Sequence, residues 1–206
     1  MNIHTPTFNF SVNALVRDIH IFSAMLVLLL MLFFAVSGFF LAHPDLSDGN
    51  KPTTEQTFSP PNWLYSASNW DEHYTQHGLQ LMLWLDKNHN IRGVDYEFEW
   101  DDIDELLIIS LQSPGGNTLV EYFINEQRIN VQKSPFSFLD TLNNVHRAKH
   151  TSTVWKYMSD ASAIIMVLFC LTGLWLALIH KGTRKASSQW FLAGSSAFVL
   201  ALYLMH

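Results

Sequence analysis

The chain has 206 residues, of which 49% are hydrophobic and only 15% are Asp, Glu, Lys or Arg. Average soluble proteins carry roughly 25% charged residues, so this composition indicates a membrane protein. The formal net charge of −6 argues against nucleic-acid binding, because phosphate contacts need a surplus of Lys and Arg. The single cysteine, Cys170, excludes an internal disulfide, a zinc–thiolate cluster and covalent haem attachment of the C-x-x-C-H type.

Three apolar stretches predict three transmembrane helices. Residues 21–42 hold no charge over 22 positions, enough to cross a hydrocarbon core of about 30 Å. A cleaved signal peptide is the alternative, because Ala35 and Ser37 resemble a small-residue cleavage site, but the length of the stretch and the lone Arg17 before it favour a spanning helix. Residues 161–179 form the second predicted span and residues 190–205 a short third one.

The charges beside these stretches predict the orientation. Lys181, Arg184 and Lys185 separate the second and third spans, and Arg17 precedes the first, so these segments are expected in the cytoplasm. Residues 44–156 hold 8 Lys and Arg against 16 Asp and Glu, a net charge of −8, and are expected outside. In a bacterium this describes a multi-pass inner-membrane protein with a large periplasmic loop.

The outer segment is predicted to be a small α+β domain over residues 44–145, between a first part (1–43) and a last part (146–206) that contain the spans. Residues 79–85 and 94–100 flank the turn-rich DKNHN, and residues 106–112 and 119–125 flank SPGGN, which predicts two β-hairpins. Residues 128–133 add a strand, Ser134 and Pro135 start an amphipathic helix, and residues 45–61 are a linker.

Histidines at the ends of the two long spans are the candidate functional residues. His20 and His43 bracket the first span, while His146 or His150 and His180 bracket the second. Because the spans are antiparallel, each face of the membrane receives two imidazoles from different helices. A haem between helices needs imidazole on both axial sides, apolar walls and small residues at the ring edge.

Two segments supply these features as a weak inverted repeat. SGFFLAH (37–43) and TGLWLALIH (172–180) both read hydroxyl-Gly-x-x-Leu-Ala and end at a histidine. Arg17, one turn before His20, is a candidate partner of a haem propionate or a positive-inside anchor. The alternative for each histidine is an ordinary interfacial residue, with Gly and Ser or Thr serving helix packing. His4, His73, His77, His89 and His206 are assigned to loops or tails without a role.

Other sequence patterns give weaker indications of function. The run EFEWDDIDE (97–105) concentrates six carboxylates and is typical of a solvated edge, with cation gathering as the alternative. A calcium loop over residues 86–97 is excluded because Ile91 stands where the turn needs Gly. No nucleophile-elbow, Walker, Rossmann or zinc-protease motif occurs.

Taken together, LVRDIH before a span ending in SGFFLAHPD, a β-rich outer segment, and VHRAKH before LTGLWLAL resemble the PepSY-associated transmembrane family over nearly the whole chain. The resemblance implies a bacterial inner-membrane protein, and some members are haem b cytochromes that reduce ferric iron or iron carriers in the periplasm. On matching positions it implies His20, His43 and His146 as haem ligands. The assignment of His180 as a ligand depends only on its expected depth in the membrane.

These observations predict an α-helical membrane protein with a small periplasmic PepSY-like domain and one or two haem b groups. It would pass electrons from a cytoplasmic reductase or quinol to a periplasmic acceptor such as ferric iron, as a ferric-reductase-like oxidoreductase. Membrane lipid and a homodimer or additional membrane subunit are the expected partners. One alternative is a sensor or inhibitor module that binds a peptidase or envelope partner; another is an accessory subunit of an iron or metal transporter.

Overall fold

A computed structural model describes residues 11–47, 49 and 51–205 of the chain. His4 and His206 lie outside the described residues. The elements in chain order are α1 (Val12–Ala42), a 3-10 turn (Pro44–Leu46), β1 (Thr54–Phe58), α2 (Asn62–Tyr65), α3 (Trp70–His89), β2 (Asp95–Asp101), β3 (Leu106–Ser113), β4 (Gly116–Phe123), β5 (Arg128–Pro135), α4 (Phe138–His146), α5 (Thr153–Ile179) and α6 (Arg184–Leu204).

The chain divides into two compact units. One comprises the described parts of residues 1–33 and 158–206, and the other comprises residues 34–157. Among the described residues, α1 and α5 are the two helices long and apolar enough to cross a membrane. Helix α6 contains the predicted third span but is less apolar, because it begins with Arg184 and Lys185 and includes four serines.

The second unit is built on a five-stranded antiparallel sheet in the order β1-β5-β4-β3-β2. Alternation along the central strands separates the two faces, as a half-buried sheet requires. Leu107, Ile109 and Leu111 of β3 are buried together with Val120 and Tyr122 of β4. They form the core with the buried face of α3, which consists of Gly78, Leu81 and Leu85.

The hairpin around SPGGN is confirmed, since β3 and β4 pair with Ser113 opposite Gly116. The strand at residues 128–133 is also confirmed, as β5. The first predicted hairpin is wrong, because residues 79–85 belong to the helix α3 and β2 pairs with β3 instead. The three histidines assigned to loops, His73, His77 and His89, therefore lie on α3.

Two further boundaries differ from the prediction. The linker at residues 45–61 contains β1, whose polar sequence TEQTF pairs with β5 at the edge of the sheet. The helix predicted to start at Ser134 begins at Phe138, because residues 134–135 complete β5 and Ser137 is the N-cap. The Ser137 hydroxyl accepts a hydrogen bond from the Asp140 amide at 3.1 Å, as N-cap side chains do.

Candidate functional site

The ring of His20 lies against α5, in a contact that we call the His20 site. Cε1 of His20 would lie 2.9 Å from a Cβ added to Gly173, so only glycine leaves room for the imidazole. The ring also stacks on Phe169, with centroids 4.5 Å apart and planes within 9°. His20 Nδ1 lies 3.1 Å from the Phe169 carbonyl oxygen and 3.1 Å from Thr172 Oγ1.

These contacts determine which ring nitrogen of His20 carries the proton. A carbonyl oxygen only accepts, so the short contact to Phe169 makes Nδ1 a donor. The Thr172 hydroxyl is itself engaged, because it donates to the Leu168 carbonyl at 2.7 Å. In the neutral imidazole Nε2 therefore keeps its lone pair. A histidine with Nδ1–H bonded to a backbone carbonyl and Nε2 free has the arrangement that metal-binding histidines adopt.

His146 makes a corresponding contact with α1, which we call the His146 site. Its Nδ1 lies 2.7 Å from Ser37 Oγ, and its Cε1 lies 3.4 Å from the position of a Cβ on Gly38. Ser37 is fully buried, and its hydroxyl reaches the Phe34 carbonyl at 3.4 Å. The ring of Phe34 meets His146 edge-on, with centroids 5.3 Å apart. When Nδ1–H donates to Ser37 Oγ, Nε2 of His146 keeps its lone pair; when the hydroxyl donates to Nδ1, the ring proton lies on Nε2.

The two sites repeat one local pattern. In each, a hydroxyl residue followed by glycine on a spanning helix receives an imidazole from another segment: Thr172 and Gly173 receive His20, and Ser37 and Gly38 receive His146. The inverted repeat in the sequence therefore corresponds to repeated contacts. Gly173 and Gly38 lie against the histidine rings, and their contact with the edge of a haem stays a prediction. A ligand would approach from the Nε2 side.

The other candidate histidines differ from these two. His43 is exposed, stacks on Phe39 at 4.5 Å and places Nδ1 2.8 Å from the Phe39 carbonyl, so its Nε2 is also free to bind. His180 follows the end of α5 and is exposed, with Nε2 3.4 Å from the position of a Cβ on Gly182. In the described part of the chain no ring contact joins His20 to His180 or His43 to His146.

His150 lies on the sheet rather than against α1. Its Nδ1 is 2.7 Å from a carboxylate oxygen of Asp95, the first residue of β2, and 20% of its side chain is exposed. Arg17 is exposed and lies 3.4 Å from the neighbouring Asp18 carboxylate. No cluster of three or more His, Cys, Asp or Glu residues suited to a metal ion occurs among the described residues.

An open groove lies on the sheet domain, away from these histidines in sequence. It has a volume of about 510 Å³ and is lined by Trp63, Ala67, His77, Gln80 and Leu83. Leu83 exposes 57% of its surface, and the buried Nδ1 of His77 has no hydrogen-bond partner in the part of the chain that the structure describes. The sequence reading missed this groove because it assigned residues 79–85 to a strand. The exposure of Leu83 follows only from the structure, so the sequence offers no direct signal for the groove.

Comparison with known proteins agrees with the resemblance seen in the sequence. The profile of the family described as putative PepSY_TM-like matches residues 11–206, which is nearly the whole chain. Neither the curated proteins nor the solved structures gave a significant match. Together with two helices suited to a membrane and an antiparallel sheet domain, this match shows that the chain belongs to the putative PepSY_TM-like family.

Proposed function

We propose that this membrane protein binds haem b and transfers single electrons across the membrane to an acceptor on the side of its sheet domain, with ferric iron or an iron carrier as the candidate acceptor. The observation that carries the proposal is the 3.1 Å contact between His20 Nδ1 and the Phe169 carbonyl oxygen, which requires a proton on Nδ1 and leaves the Nε2 lone pair for a metal. Haem iron is bound by neutral imidazole in this form. Bound haem would supply a one-electron Fe(III)/Fe(II) couple.

The residues divide into two groups, near the two ends of the apolar stretch of α1. His20 would hold one haem and His146 the other, with His180 and His43 as candidates for the respective second axial positions. His146 is favoured over His150, because the His146 ring lies against Ser37 and Gly38 of α1, whereas the His150 ring lies on the sheet beside Asp95. Arg17, one turn before His20, would pair with a propionate in exchange for its weak exposed contact with Asp18.

The apolar helices would hold the cofactor in place and exclude water from it. Phe169 stacks on His20 and Phe34 meets His146 edge-on, and neither side chain offers a polar atom to compete for the iron. Bis-histidine ligation leaves no open coordination position, which favours electron transfer over oxygen chemistry. We further propose that α6 forms a third span and that a second copy or another membrane subunit completes the haem environment.

Histidine variants test the assignment of ligands. Full-length protein is purified in mild detergent from haem-replete cells, and haem is quantified per chain. His20→Ala and His146→Ala should each remove the absorbance of about one haem, whereas His73→Ala, which changes an imidazole on the exposed side of α3, should keep the full spectrum. Full haem content in both of the first two variants would overturn the assignment.

A second candidate function is a sensor or inhibitor module that binds an envelope protein. The groove beside Trp63 and Leu83 favours it, because exposed apolar residues in a concave surface are typical of sites that receive a partner side chain. Folded protein that is colourless after expression with ample haem would favour this function over electron transfer. An accessory role in metal transport would instead give colourless protein with bound metal ion.

A further inference from the structure

Helix α4 is attached at both ends to the C-terminal part of α1 and the segment after it. At one end, His146 Nδ1 lies 2.7 Å from Ser37 Oγ. At the other, the Ser47 hydroxyl lies 2.9 Å from that of the N-cap Ser137 and donates to the Asp140 carboxylate at 3.0 Å. Helix α4 therefore lies beside the end of the first spanning helix.

The contact between His146 and Ser37 sets the depth of the end of α4 that carries His146. Ser37 is five residues before the end of α1, which corresponds to a rise of about 7.5 Å at 1.5 Å per residue. Interfacial helices lie roughly 5–10 Å into the boundary between headgroups and acyl chains. Phe138, the first residue of α4, exposes 77% of its surface, and Leu46, which precedes Ser47 in the chain, exposes 47%. Both apolar side chains are exposed at the end of α4 that contacts Ser47.

Residues 141–156 have the opposite charge to the domain that contains them. Residues 44–156 carry a net charge of −8, yet residues 141–156 contain no Asp or Glu and include Arg147, Lys149 and Lys156. All three cations are exposed. The Arg147 guanidinium bonds to the neutral amide of Asn144 at 3.1 Å, and none of the three forms an ion pair within the part of the chain that the structure describes.

We propose that α4 and the loop that follows it bind the headgroups of anionic phospholipids. Arg147 and Lys149, which follow His146, would contact the phosphate. Local acidic residues would weaken such binding, and residues 141–156 have none; Asp140 lies at the other end of α4 and accepts hydrogen bonds from Ser47 and Ser137. The Trp155 indole, which donates to the Val145 carbonyl at 2.9 Å, ties the end of α4 to the start of α5 and adds an aromatic ring of the type found at membrane interfaces. This proposal does not depend on haem.

Lipid retention measured by native mass spectrometry tests the proposal. The full-length protein is equilibrated in detergent with an equimolar mixture of phosphatidylglycerol and phosphatidylcholine, and the lipids that remain bound are counted. The wild-type chain should retain phosphatidylglycerol in preference to phosphatidylcholine. Arg147→Gln with Lys149→Gln should lower this preference by roughly fivefold for each cation removed. Raised salt should lower it in the wild type.

The matched control is Lys51→Gln with Lys87→Gln, which changes the net charge equally at two exposed lysines outside α4 and its loop. The control should keep the wild-type preference, and circular dichroism in the same detergent verifies that both variants are folded. Equal retention of the two lipids by the wild type would overturn the proposal. So would an equal loss in the control, or displacement of the lipid by inorganic phosphate, which would indicate a site for free anions.

Discussion

The imidazole of His20 lies over Gly173, with Cε1 2.9 Å from the position that a β-carbon would occupy, and it stacks on Phe169 four residues earlier. A glycine in the middle of an apolar helix lowers helix propensity, so it needs a packing reason. The imidazole supplies that reason. The same relationship recurs in looser form between His146 and Gly38, at 3.4 Å.

Gly173→Ala should destabilise the protein because the new methyl group overlaps the His20 ring. Overpacking of this kind costs about 1–3 kcal/mol in the free energy of unfolding, which is measured by denaturant titration in detergent. Gly194→Ala in α6 is the matched control, since among the described residues no atom beyond its chain neighbours and the nearby helix backbone lies within 4 Å of the added carbon, and it should be neutral or slightly stabilising. Similar effects of the two substitutions would contradict the described contact.

Gly78→Ala should destabilise the sheet domain. The added methyl group would lie 2.6 Å from Cδ1 of Phe98, where α3 packs on β2, and the predicted cost is about 1–3 kcal/mol. Phe98→Leu in the same chain should recover part of the loss, because the smaller side chain leaves room. A double variant whose loss equals the sum of the single losses would show that these two residues do not compete for space.

Ser137→Ala should weaken α4, because the hydroxyl that accepts from the Asp140 amide and contacts Ser47 is lost. Loss of an N-cap costs about 0.5–2 kcal/mol, and thermal unfolding of the variant measures it. Ser137→Thr keeps a capping oxygen and should be close to the wild type. Ser66→Ala, which removes an exposed hydroxyl from the same domain, is the control. An effect of Ser66→Ala as large as that of Ser137→Ala would contradict a specific capping role.

Tyr122 should make the sheet domain less stable at alkaline pH. Burial of the phenol, and secondarily the charge of Tyr65, raises the pKa of Tyr122 above its ordinary value of 10.0. The unfolded chain then loses this proton at lower pH than the folded one. The stabilisation is complete below about pH 10 and is lost as the pH rises toward the folded-state pKa. Tyr122→Phe should flatten the fall of the unfolding free energy above pH 9.5; an unchanged slope would contradict this prediction.

The parts of the fold that the sequence predicted correctly depend on local or compositional signals. Charge-free length identified the two long helices, and Pro-Gly-Gly between alternating strands identified the β3–β4 hairpin. The helix α3 was misread because LQLMLWL alternates over seven residues, as a strand does. The buried residues Gly78, Leu81 and Leu85 repeat at helical spacing, and this period emerges only over the full 20 residues.

The strand β1 could not be predicted from the sequence, for a different reason. Thr54, Glu55, Gln56 and Thr57 are exposed, so no hydrophobic alternation marks them, and the strand exists because β5 offers a free edge. The histidines at the ends of the spans could be selected from sequence as candidates. The residues that contact these histidines in the fold could not be predicted. Thr172, which contacts His20, and Ser37, which contacts His146, each lie more than 100 positions away in the chain.

The most direct test of the proposed function is a reduced-minus-oxidised visible spectrum of the full-length protein, purified in mild detergent from haem-replete cells, with haem quantified per chain. Ligation at both histidine sites predicts sharp low-spin bands of the b type and about two haems per chain, while about one would restrict binding to a single site. A folded protein without these bands would contradict haem binding and the electron transfer that depends on it.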